Sequence, residues 1–127
     1  MRIYSDTYTL SEVDKDGKVF DDVSRGYFKS STGTLYLDYH SKLFPFKKLD
    51  RIEISIFSDE NGFSETDVPE KYEYLMGNGV LHLKKEKNQN DIAEIYFSGL
   101  LALLETPKQA IKGLEKCKRM FIGVAAA

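Results

Sequence analysis

Tryptophan is absent, and cysteine occurs once, at Cys117. A lone cysteine excludes an intrachain disulfide and favours a reducing compartment. The two histidines, His40 and His82, stand too far apart to join Cys117 in a zinc set of the usual ligand spacing. No stretch approaches the roughly 18 apolar residues of a membrane helix. The opening segment, Met1 to Asp6, lacks the apolar run of a secretory signal, so a soluble intracellular chain is expected. No Asn-X-Ser/Thr acceptor occurs. A formal charge of -2 gives no global pull toward nucleic acid or anionic lipid. There is no glycine-rich phosphate loop, and no serine lies in a nucleophile-elbow context. Catalytic residues, metal, cofactor and small-molecule substrate are all therefore expected to be absent.

What is present points to strands. Eight tyrosines and eight phenylalanines, with 42% hydrophobic and 30% charged residues, suit an ordinary β-rich globular chain of one domain over residues 1–127. Asp16-Gly17 reads as a two-residue turn between a mixed apolar strand (Ile3, Tyr4, Tyr8, Leu10, Val13) and a second one carrying Val19, Val23 and Tyr27. Leu35, Leu37 and Tyr39 alternate with Tyr36, Asp38 and His40, the period of a half-buried strand. Pro45 cannot continue a ladder. In Arg51 to Phe57, Ile52, Ile54 and Ile56 are expected to face inward, and Arg51, Glu53 and Ser55 to face water. From 58 to 71 the apolar period vanishes among acidic residues, which predicts a mobile loop anchored by Phe63 and Val68.

Tyr72, Tyr74 and Met76 then alternate, Gly77-Asn78-Gly79 reads as a hairpin turn, and Val80 to Lys85 as its return. Ile92 to Leu104 is a long apolar run, with Gly99 expected at a bulge or bend. Thr106-Pro107-Lys108-Gln109 predicts a short helix start. Lys118 to Val124 closes the chain as a strand. About eight strands and one short helix, mostly joined by tight turns, predict an all-β protein, a closed barrel or a sandwich, and few strands look protected as exposed edges, which favours the barrel.

Candidate chemistry is sparse. His40 and His82 read as surface or boundary residues. Asp14-Lys15-Asp16-Gly17 has too few ligands for a calcium loop, so it reads as a turn. Cations around Cys117 favour thiolate, but a small residue beginning the last strand is the better reading. Two basic clusters, at Lys84, Lys85, Lys87 and at Lys108 to Arg119, stand near Tyr72, Tyr74, Tyr96 and Phe97. They leave open a free OB-type binder of single-stranded nucleic acid as the alternative function. The adjacent pair Leu100-Leu101 must point to opposite faces of a strand. One of the two, and likewise part of Met120-Phe121-Ile122, then needs a cover, either the short helix or another protein, and strands apolar on both faces suggest a partner surface.

Asp14-Lys15-Asp16-Gly17-Lys18, Phe20-Asp21 and Val23-Ser24-Arg25 together resemble the N-terminal signature of one known family. Tyr72-Glu73-Tyr74-Leu75-Met76 with Gly79-Val80-Leu81 resembles its aromatic strand and return. Ile95 to Leu103 resembles its Tyr-rich strand ending in Gly-Leu-Leu, and Met120 to Val124 its final strand. The family is that of the eighth subunit of RNA polymerase II, the common subunit shared by nuclear RNA polymerases I, II and III. The resemblance implies an antiparallel β-barrel with OB-like topology, non-catalytic, in the nucleus. It implies docking on the largest polymerase subunit within the multisubunit assembly, with no direct sequence-specific nucleic-acid contact. Tyr96, Gly99, Leu100, Leu101 and Phe121 are the expected interface. The chain departs from the family pattern in a shorter acidic loop, in Ala102 where Met is common, and in the plain Ala125-Ala126-Ala127 end.

Overall fold

A computed structural model describes residues 2–17, 21–44, 46–48, 50–59 and 71–127. Eight strands form: β1 (Arg2–Val13), β2 (Val23–Lys29), β3 (Thr34–His40), β4 (Arg51–Ser58), β5 (Tyr74–Lys87), β6 (Asn90–Phe97), β7 (Leu100–Pro107) and β8 (Met120–Ala126). They close into a barrel in the order β1-β2-β3-β7-β6-β5-β8-β4, and the neighbouring pairs are antiparallel. No helix among the described residues is long and apolar enough to cross a membrane.

The strand order resolves into two similar halves. β1, β2 and β3 form a meander and β4 returns beside β1; β5, β6 and β7 form a second meander and β8 returns beside β5. Each half thus has the 4-1-2-3 order of a Greek key. The two keys meet along a β3/β7 seam and a β4/β8 seam. Alternation fills the interior with Tyr8, Leu10, Phe28, Leu37, Ile54, Ile95, Leu104 and Val124, all essentially inaccessible. One barrel end is plugged by Phe44 and Phe46, packed on Tyr39 and Tyr74. The other is plugged by the buried Ile111 and Leu114.

Several local expectations are corrected. The β1/β2 pairing exists, but its last pair is Val13↔Gly26, so the two strands do not meet across a two-residue Asp16-Gly17 turn. Val19 lies outside the described residues, as do Phe63, Val68 and most of the 58–71 loop. Gly77-Asn78-Gly79 is no hairpin. β5 runs through it with a bulge, Asn78 at φ 56, because the strand changes partner there from β8 to β6. The true hairpin is at Ser98-Gly99, where φ values of 52 and 91 make a tight turn between β6 and β7. Glycine suits that second position because positive φ costs it nothing.

Thr106 and Pro107 end β7 instead of opening a helix, and the expected short helical element is a 3-10 turn at Leu114–Lys116. Ser55 does not face water. The Tyr72 hydroxyl donates to its Oγ at 2.9 Å and covers it, and Ser55 in turn donates to Ser5.

Candidate protein-docking surface

The outer wall of a barrel normally carries the polar half of each alternation. On β2, β3, β7, β6 and β5 the register aligns two cross-strand rows of a different kind. One row runs Tyr27, Tyr36, Leu103, Glu94, Leu83. Beside it, Arg25 and Asp38 lead to the Leu101, Tyr96, Val80 row. Next comes a charged row, Lys29, Thr34, Glu105, Ile92 and Lys85. The apolar band is therefore bounded on that side by charge. Val80, Leu83 and Tyr96 are among the most exposed large hydrophobics described, at 46%, 43% and 38%.

Specific contacts stiffen the band. The Tyr27 and Tyr36 rings stack at 4.6 Å, with the Lys15 ammonium over both. Lys15 also donates to the Tyr36 hydroxyl at 2.7 Å, which raises the lysine's pKa above its usual value. Tyr96 donates to Glu94 at 2.9 Å, and this bond pushes its phenol up. His82 meets the Tyr96 ring edge-on.

The centre of the band is electrostatic. Asp38 is buried at 4% exposure and accepts from Arg25 Nε at 2.6 Å and from its terminal nitrogen at 3.0 Å. That hydrogen bond, ahead of the cost of burial, raises the Arg25 pKa still further. The second carboxylate oxygen accepts the Leu101 N–H at 3.1 Å. The β3/β7 ladder ends one residue earlier, at Leu37↔Ala102, so a side chain continues a seam that the backbone has left. Alternation predicted Asp38 as an ordinary outward polar residue, and sequence reasoning missed this role. Its partners lie 13 and 63 residues away, which no local pattern signals.

The five expected interface residues separate. Tyr96, Gly99, Leu100 and Leu101 come together at the β6/β7 hairpin. Leu101 faces outward beside Tyr96, whereas Leu100 packs against the core on the same face as Ala102 and Leu104. Phe121 lies on β8, with β5 between it and this hairpin, stacked on Phe57 at 4.8 Å; Phe57 also meets the Tyr72 ring. Val80 and Leu83 belong to the band but were not foreseen, because their stretch read as the return strand of a false hairpin.

Among the described residues no group of three His, Cys, Asp or Glu side chains is placed to hold a metal ion. Little supports a stacking platform for nucleic acid. Tyr72, Tyr74 and Phe97 are buried, and of the four aromatics near the basic clusters only Tyr96 is exposed. Within those clusters Lys84 pairs with Glu115, and Lys108 with Glu86 at 3.3 Å.

Known proteins resemble the chain over nearly its whole length. It is 28% identical to the DNA-directed RNA polymerases I, II, and III subunit rpabc3 of Dictyostelium discoideum, over 98% of this chain and 97% of that one. It is 28% identical to the probable DNA-directed RNA polymerases I, II, and III subunit RPABC3 of Caenorhabditis elegans, over 94% and 93%. To the DNA-directed RNA polymerases II, IV and V subunit 8B of Arabidopsis thaliana it is 24% identical, over 94% and 92%. Among solved structures the cytoplasmic molybdate-binding protein ModG is similar at a TM-score of 0.34 and 10% identity, over 97% of this chain and 89% of that one. That likeness is too loose to say anything about a ligand. Residues 5–124 match the RNA polymerase Rpb8 family, and the chain belongs to it.

Proposed function

We propose that this chain is a common subunit of the nuclear DNA-directed RNA polymerases I, II and III, acting as one barrel over residues 1–127. It docks on the largest subunit and performs no catalysis of its own. The observation that carries the docking surface is the apolar band on the β5-β6-β7 wall, with Tyr96 and Val80 exposed on neighbouring strands. Its partner-facing residues are Tyr96, Leu101 and Gly99, joined by Val80 and Leu83. Leu100 supports them from the core side, and Phe121 offers a separate aromatic contact on β8. An apolar patch of this kind, rimmed by charge, suits a protein interface. Aromatic anchors such as Tyr96 typically dominate the energy of such interfaces.

The test is affinity purification of the tagged chain from native extract, read by mass spectrometry, alongside a Tyr96→Ala/Val80→Ser variant. Both substitutions fall on exposed side chains and should leave the fold intact. The wild type should bring down the largest polymerase subunit, and the variant should lose most of it. Recovery of the wild type without polymerase subunits sinks the proposal.

A further inference from the structure

We propose that the free edge of β5 beyond Gly79 is a second docking site, one that takes an acidic, extended polypeptide segment of a partner as an added strand. It goes beyond docking through the wall, and rests on that reading only in that the partner is another subunit of the same assembly.

β5 changes neighbours along its length. From Tyr74 to Gly79 it pairs with β8, and from Gly79 to Lys87 with β6. Past Gly79 no other backbone hydrogen bond reaches it among the described residues. One row of its backbone donors and acceptors thus has no backbone partner, and an incoming strand would supply one, beside the Leu114–Lys116 turn that packs near β5. Val80 and Leu83 supply apolar positions along this stretch.

Charge selects the occupant. Residues 80–89 and 108–119 hold eight lysines and arginines against Glu86 and Glu115, a surplus of six in a chain whose formal charge is -2. The two stretches lie side by side, joined by the Lys84–Glu115 and Lys108–Glu86 pairs. Lys85, Lys87, Lys112, Lys116 and Lys118 are exposed and have no ion-pair partner among the described residues. Lysines on an edge repel a second copy of the same edge. The same surplus draws an acidic segment, so this edge refuses itself and admits the opposite charge. Single-stranded nucleic acid is also anionic, but it binds by stacking. The one exposed aromatic nearby, Tyr96, sits on the wall with His82 against its ring.

The probe is a peptide of about ten residues alternating glutamate and valine, the length of a long strand. Two controls accompany it: a version with proline at alternate valines, equal in charge but unable to ladder, and oligo(dT). The alternating peptide should bind, weaken with salt and shift the amides of Val80 to Lys87. The proline version should bind roughly tenfold or more weakly, since several backbone hydrogen bonds are lost. A Lys85→Glu/Lys87→Glu variant should also bind about tenfold more weakly with its denaturation midpoint unchanged. Equal binding by the proline version, tighter binding by oligo(dT), amide shifts centred on Tyr96 and Leu101, or no peptide binding would each overturn the proposal. Tyr96→Ala separates the two sites. It should keep the peptide while weakening capture of the polymerase.

Discussion

The two seams that join the Greek keys are built differently. β4 and β8 pair from Ile52↔Ala126 to Ser58↔Met120, a ladder along the full strand. β3 and β7 pair only from Thr34↔Glu105 to Leu37↔Ala102. Beyond that, the Asp38 carboxylate takes the Leu101 N–H and is held by Arg25. The first seam is redundant, since any single bond can be lost among many. The second hangs on one buried charge at one end and on Gly33 at the other. The exposed band crosses the barrel where this second seam gives out, so a partner lying on the band would also clamp the weaker join.

Gly33→Ala should have the largest effect. A methyl there would sit 2.2 Å from the Glu105 carbonyl oxygen, so the β7 backbone itself must move. A cost of about 3 kcal/mol is expected in urea unfolding. The matched change in the other seam, Gly123→Ala, meets the Tyr72 ring at 2.8 Å, a side chain instead of the backbone, though displacing it strains its bond to Ser55. It should cost about 2 kcal/mol. Equal losses would erase the distinction between the seams.

Asp38→Ala comes next, at about 2 kcal/mol. It strands the Leu101 N–H and the Arg25 charge, though Arg25, 36% exposed, can turn to water. Hydrogen exchange should then quicken at Leu101 while Ile54 and Val124 stay protected. Quickening spread evenly over both seams would contradict the reading.

Both seams should yield to base through the core they share. Burial raises the Tyr4 and Tyr39 phenols to about 12, and moves Tyr8 in the same direction. In an unfolded chain tyrosine ionises near pH 10. A pKa raised by folding gives stability that is complete below about pH 10 and disappears as pH climbs toward 12. Tyr8→Phe removes the 2.6 Å bond between the Tyr4 and Tyr8 hydroxyls. It should cost about 1 kcal/mol at neutral pH and make the alkaline loss shallower, as denaturation midpoints across pH would record. The smallest effect is expected from Glu53→Ala on the outer face of β4. Its pair with Lys71 is a surface one, and such pairs contribute little. The Lys71 bond lowers the Glu53 pKa. Whatever the pair adds is therefore present above the ordinary carboxylate pKa and fades as pH falls below it.

Alternation made most of the barrel legible. Ile52, Ile54 and Ile56 point inward as their spacing requires, and the strand count is right. Yet two misreadings offset each other in that count. Gly77-Asn78-Gly79 and Ser98-Gly99 exchanged roles, because turn chemistry alone does not say whether the chain reverses or merely changes neighbour. Thr106-Pro107 has the residues of a helix start, but the β6 ladder holds them in β7 as far as Asn90↔Pro107. Ser55 has outward parity and is still buried, because Tyr72 reaches over it from outside β4. Leu100 and Leu101 were correctly expected on opposite faces, and burial decides which faces out. Under the proposed docking, what covers the outward one belongs to another molecule, beyond the reach of this sequence.

Hydrogen exchange on the free chain and on the same chain within purified polymerase would compare the walls directly. Added protection should concentrate at Val80, Tyr96 and Leu101 across the β5-β6-β7 wall. Protection confined to the β4/β8 wall around Phe57 and Phe121, with Tyr96 and Leu101 unchanged, would contradict the proposed docking surface.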